Sequence, residues 1–79
     1  MGRRREFRVT QECGRICDGD IVTATHKADA ARAWLRTHRQ HDTCDVYDGW
    51  RGRTYEVRGG QLWCGCICLG PLDPEVTHA

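Results

Sequence analysis

The sequence predicts a small single α+β domain with an N-terminal β-hairpin, one helix packed on an antiparallel sheet, and a C-terminal β-meander. A bound metal is predicted to stabilise this fold. Three observations predict this class. Apolar and polar residues alternate near both ends of the chain, which is the period of a half-buried strand. Residues 26–38 repeat their apolar positions at helical spacing. Glycines that favour tight turns separate the later strand patterns.

The N-terminal hairpin is predicted from two strand patterns. Phe7 and Val9 alternate with Arg8 and Thr10, as expected of a strand that buries one face. A second strand should run from Asp20 to Thr25 and pair with the first. A basic arm, residues 1–5, precedes this hairpin and is expected to be flexible.

A helix is expected to start near Thr25 or His26. Thr25 is a suitable N-cap residue, and Asp29 in the first turn complements the helix dipole. The residues of its apolar face are Ala28, Ala31, Trp34, Leu35 and His38. This face should pack on the sheet.

The C-terminal meander is predicted from short strands separated by turns. The expected strands cover residues 44–47, 53–58 and 61–68, with turns at Asp48-Gly49 and Gly59-Gly60 and a stop at Gly70-Pro71. In the last strand the alternation places Leu62, Cys64, Cys66 and Cys68 on one face. The predicted domain therefore covers residues 6–69, and residues 70–79 form a frayed tail.

The small apolar content of the chain points to an additional source of stability. Leu, Ile, Val and Phe together number 13 of 79 residues, which usually indicates a weak core. Six cysteines and four histidines are the candidates to supplement it. The basic N-terminus lacks the apolar segment of a signal peptide, and no apolar run is long enough to span a bilayer. We therefore expect a cytoplasmic protein in which cysteine pairs indicate a metal rather than disulfides, with buried core thiols as the alternative.

The spacing of these residues predicts a structural zinc site. Zinc takes four nitrogen or sulfur ligands in a tetrahedron, and a short cysteine pair combined with ligands at a helix end can supply them. The preferred ligands are Cys13, Cys17, His38 and Cys44, with His41 as the main substitute and Cys64, Cys66 and Cys68 as further substitutes.

Three classes of function remain open. No hydrolase, P-loop, zinc-protease or dinucleotide motif is present, so a thiol- or zinc-dependent enzyme is the third choice. The first is a non-catalytic module that binds a protein partner through Trp50 and Arg51, because exposed aromatic and arginine side chains dominate interface energies. The second is a nucleic-acid binder, which would use Arg3, Arg4, Arg5, Arg32, Arg36 and Arg39. The net charge of +1 favours the protein partner.

Residues 7–35 also carry a resemblance. Phe7-Arg-Val-Thr, then Ile21-Val-Thr-Ala-Thr and the helix from His26 to Leu35, resemble the strand–strand–helix opening of the arm-type DNA-binding domains of phage integrases. The chain as a whole is similar to small proteins of actinobacteria and their phages. Those domains lack the cysteines that this chain contains.

Overall fold

One helix lies on one face of a six-stranded antiparallel sheet, which confirms the predicted α+β fold. The protein is seen in a computed structural model that describes residues 3–11 and 19–73. The elements are β1 (Arg5–Thr10), β2 (Asp20–Ala24), α1 (Lys27–Thr37), β3 (Thr43–Asp48), β4 (Arg51–Arg58), β5 (Gln61–Cys64) and β6 (Ile67–Pro71). The strand order in the sheet is β2-β1-β3-β4-β5-β6.

β1 joins the hairpin to the meander because it has a partner on each side. Phe7 lies opposite Val22 of β2, and Val9 lies opposite Val46 of β3. The chain leaves β2 at one edge of the sheet, crosses it as α1 and returns as β3 on the other side of β1. The N-terminal hairpin and the C-terminal meander therefore form a single sheet.

The core lies between α1 and the sheet. α1 buries Ala30, Ala31, Trp34 and Leu35. The sheet residues that complete the core are Phe7, Val9, Ala24, Cys44, Val46, Tyr55, Leu62 and Leu72. We call the opposite face of the sheet, which α1 does not cover, the open face.

The start of α1 differs by one residue from the prediction. His26, and not Thr25, occupies the N-cap position, and its side chain makes no capping hydrogen bond. Ala24 is still paired with Arg5 in the sheet, so the chain needs Thr25 and His26 to turn before the helix begins. Within residues 3–11 and 19–73, no helix has the length and apolar character needed to cross a membrane.

The single strand predicted for residues 61–68 is wrong. The chain turns at Gly65-Cys66, and Cys64 lies opposite Ile67. Gly65 has φ +65°, the left-handed backbone that glycine accepts at the first position of a tight hairpin turn. As a result, Cys64 packs beside the core, while Cys66 and Cys68 are exposed.

The ordered fold extends beyond both predicted boundaries. β1 begins at Arg5, which the prediction assigned to the flexible arm. At the other end, β6 continues to Pro71, and Leu72 is buried with 6% exposure. The Leu72 amide donates a 2.9 Å hydrogen bond to the carbonyl of Gly60. A buried leucine and a backbone hydrogen bond therefore hold a segment that the sequence assigned to the frayed tail.

Substitution of Leu62 tests whether the core extends under the C-terminal hairpin. Its side chain is fully buried, so Leu62→Ala should lower the free energy of unfolding by about 2–5 kcal/mol. The matched control is Ile67→Ala on the same hairpin, where the side chain is 59% exposed and the loss should stay within about 0.5 kcal/mol. Chemical denaturation of both variants measures the difference. Equal losses would show that β5 does not share the core.

Candidate interaction site

The β3–β4 hairpin presents Trp50 at its tip. The two strands pair as far as Asp48 and Arg51, so the turn consists of Gly49 and Trp50. Gly49 has φ +66°, which the tight turn requires. Trp50 is 84% exposed, and the guanidinium carbon of Arg51 lies 5.2 Å from the centre of its ring. The predicted exposed turn is confirmed, and the binding role of these residues stays a prediction.

The base of this tip is shaped by Tyr47 on the open face. Tyr47 lies opposite Gly52, and a Cβ at Gly52 would lie 2.5 Å from the tyrosine ring. Position 52 must therefore remain glycine for the ring to lie over the strand. A shallow cavity of about 280 Å³ opens beside it, lined by Arg8, Thr10, Tyr47 and Gly49. We call Arg8, Tyr47, Gly49, Trp50 and Arg51 the tip surface.

The tip surface has unneutralised positive charge. Within the described residues, neither Arg8 nor Arg51 takes part in an ion pair. The nearby carboxylate of Asp48 is already paired with Arg5 at 2.9 Å. Arg8, opposite Tyr47, and Arg51, over the ring of Trp50, suit a partner that offers both carboxylates and apolar groups.

Arg32 of α1 holds the end of the sheet, although the sequence placed it on a nucleic-acid-binding face. Its Nη2 donates to the carbonyl of Leu69 at 2.8 Å and its Nε to the carbonyl of Pro71 at 3.2 Å. The Arg32 side chain is only 21% exposed. This guanidinium therefore ties β6 to the helix.

Two more of the predicted phosphate-binding arginines have acidic partners in the chain. Arg39 forms an ion pair with Asp73 at 2.7 Å, and this hydrogen bond lowers the pKa of the Asp73 carboxyl. Arg5 is paired with Asp48. Arg3 and Arg4 are exposed, and Arg36 is half-buried. The nucleic-acid surface stays a prediction, with Arg3, Arg4 and Arg36 as its available members.

His38 packs on Trp34 at the end of α1. The two ring centres are 4.0 Å apart and nearly parallel, and His41 lies 5.6 Å from the same indole. The indole Nε1 donates to the carboxylate of Asp20 at 2.7 Å. His38 Nδ1 lies 2.8 Å from the Trp34 carbonyl oxygen, and its Nε2 lies 3.6 Å from the carboxylate of Asp20. The sequence contained no signal for the contact between Trp34 and Asp20.

Cys44 lies in the hydrophobic core. Its side chain is fully buried, and burial, with a smaller contribution from Asp45, raises the pKa of the thiol to about 12. Zinc binds the thiolate form of cysteine. This position therefore favours a protonated thiol in the core, which was the predicted alternative to a metal ligand.

The predicted zinc site depends on two residues outside the described ranges, Cys13 and Cys17. Among the residues that are described, no three histidine, cysteine or acidic side chains are grouped to hold a metal. Cys64 contacts Arg53 at 3.7 Å and Cys68 contacts Gln61 at 3.1 Å. The zinc site stays a prediction, and it requires both N-terminal cysteines.

Comparison with protein-family models, characterised proteins and solved structures finds no match for the chain. The resemblance to integrase domains and to small actinobacterial and phage proteins stays a prediction.

Arg32 provides a test of its structural role. Arg32→Ala removes the hydrogen bonds to two carbonyls of β6 and should lower the free energy of unfolding by about 1–3 kcal/mol. The control is Arg36→Ala on the same helix, which should change it by less than about 0.5 kcal/mol. Hydrogen exchange should show faster exchange in β6 of the Arg32 variant only. Unchanged exchange there would mean that Arg32 does not hold the strand.

Native mass spectrometry tests the zinc prediction. Protein purified without added metal should carry one zinc ion, and Cys13→Ser/Cys17→Ser should lose it and unfold more readily, since structural zinc contributes folding free energy. Cys66→Ser/Cys68→Ser, which changes two exposed thiols, should keep the metal. A metal-free mass together with stability that a chelator does not change would reject the site.

Proposed function

We propose that this protein is a non-catalytic interaction module that binds an acidic segment of a protein partner through the tip surface. The observation that carries the proposal is the 84% exposure of Trp50 on a two-residue turn. Burying such an indole on a partner would remove much apolar surface from water, whereas the exposed indole contributes little to this fold.

The tip surface also has the rigidity that binding favours. Continuous strand pairing between β3 and β4 fixes the backbone on both sides of Trp50. A pre-organised side chain loses less conformational entropy on binding than one on a mobile loop. Tryptophan and arginine are the residues that most often dominate the energy of an interface. The adjacent pair Trp50 and Arg51 therefore forms a suitable anchor.

A protein partner is better supported than a nucleic acid. Three of the predicted phosphate-binding arginines already bind carboxylate or carbonyl groups of the chain, namely Arg5, Arg32 and Arg39.

The thiol-enzyme alternative has the least support. A nucleophilic cysteine needs an accessible, deprotonated sulfur. Cys44 is buried with a raised pKa, and the Cys68 thiol donates a hydrogen bond to Gln61. A structural zinc is compatible with the proposed role, since it would stabilise the fold without taking part in binding.

Site-specific crosslinking identifies the partner and then allows affinity to be measured. A photoreactive amino acid at position 50, introduced in the source cells, should crosslink a protein with an acidic segment. With the purified partner, Trp50→Ala should weaken binding at least about tenfold, the effect of losing an interface anchor. Ile67→Ala, a control at another exposed hairpin position, should leave the affinity within about twofold.

The nucleic-acid alternative is tested with labelled DNA and RNA of mixed sequence over a range of salt concentrations. We expect weak binding. Sub-micromolar, salt-sensitive binding that Arg3→Ala/Arg4→Ala/Arg36→Ala abolishes and Trp50→Ala leaves unchanged would contradict the proposal.

A further inference from the structure

The two edges of the sheet are protected to different degrees. At the β6 edge, Pro71 has no amide N–H to donate, and Gly70 has φ +98° where the pairing register shifts. Arg32 donates hydrogen bonds to the carbonyls of Leu69 and Pro71. Proline, a bulge and a charged side chain are devices that prevent an edge strand from pairing with another chain. The β6 edge is therefore blocked.

The β2 edge lacks these devices. In the described part of the chain, no strand lies outside β2. Its central residues, Ile21, Val22 and Thr23, are β-branched and uncharged, and Ile21 is 60% exposed. Such an edge presents unpaired N–H and C=O groups that can accept a further strand.

Space for a further strand is present beside β2. A groove of about 610 Å³ runs between β2 and the C-terminal half of α1. From the helix and its C-terminal end, Ala33, Trp34, Thr37 and His38 line it. A strand added to β2 would lie against these residues.

We propose that β2 pairs with β2 of a second copy of this chain, antiparallel and centred on Val22. In this register Val22 lies opposite its counterpart, Ile21 lies opposite Thr23, and Asp20 lies opposite Ala24. The contact is isologous, because the same strand forms it in both copies. The two sheets join into one, and both helices lie on the same face.

Charge complementarity favours a second copy over an unrelated strand. β2 begins with Asp20, and the basic residue Lys27 follows its end. Antiparallel self-pairing therefore brings the acidic end of each copy near the basic end of the other, on both sides of the symmetry axis. Ile21, Val22 and Thr23 bring no like charges into opposition. The net charge of +1 adds little repulsion between the copies.

This surface is separate from the tip surface. β1 lies between β2 and the β3–β4 hairpin, so pairing through β2 leaves Trp50 exposed. The dimer would present two tip surfaces, and a partner with two acidic segments would then bind with increased avidity. The inference does not depend on the proposed function, because self-association is measured without a partner.

Sedimentation and light scattering test the dimer. The wild-type chain should have about twice the 9.0 kDa mass of one copy. Ile21→Lys/Thr23→Lys places lysines opposite each other in the proposed register and should reduce the mass to that of one chain. Ile67→Lys is the matched control, since Ile67 is 59% exposed on the blocked edge, and it should remain dimeric. Circular dichroism confirms that each variant is folded.

A charge-swap experiment tests the register itself. Ile21→Glu/Thr23→Glu should be monomeric alone and should form a heterodimer when mixed with the lysine variant, because opposite charges then face each other. Native mass spectrometry separates the species. Each of three results would overturn the proposal. The wild type is monomeric at millimolar concentration, or the lysine variant stays dimeric. The third is that the amides of β2 are protected from hydrogen exchange only when a different protein is bound.

Discussion

The packing of α1 on β1 is the interaction on which the rest of the structure depends. β1 is the strand that joins the hairpin to the meander, and its inward residues Phe7 and Val9 are almost fully buried. Leu35 of α1 is buried to the same degree. These residues share one core with Cys44 and Val46 of β3, so the N-terminal hairpin, the helix and β3 pack together.

A single helix of eleven residues leaves much of a six-stranded sheet uncovered. The C-terminal strands are consequently held by other means, with Leu72 in the core and Arg32 bound to β6. Among the described residues, no element covers the open face or the outer side of β2. The limited coverage by one helix thus produces both the need for additional stabilising contacts and the surfaces proposed to bind partners.

The cysteines illustrate how burial changes the chemistry of one residue type. Cys44 lies in the core with its thiol pKa raised to about 12, while Cys66 and Cys68 are exposed. The sequence grouped these residues as possible ligands because spacing was the available criterion. The fold separates them, since the turn at Gly65 and the position of Cys44 beneath the helix place the sulfurs in different surroundings.

Local sequence determined the type of each major element, because the period of apolar residues and the left-handed preference of glycine act over a few residues. The helix, the turn at Gly49 that exposes Trp50 and the hairpin character of both ends followed from it. Only the tertiary structure decided the break at Gly65, the strand order and the role of Arg32. The carbonyls that Arg32 binds lie 37 and 39 residues further along the chain. Backbone acceptors carry no side-chain identity, so a residue pattern cannot show which of them a distant arginine will reach.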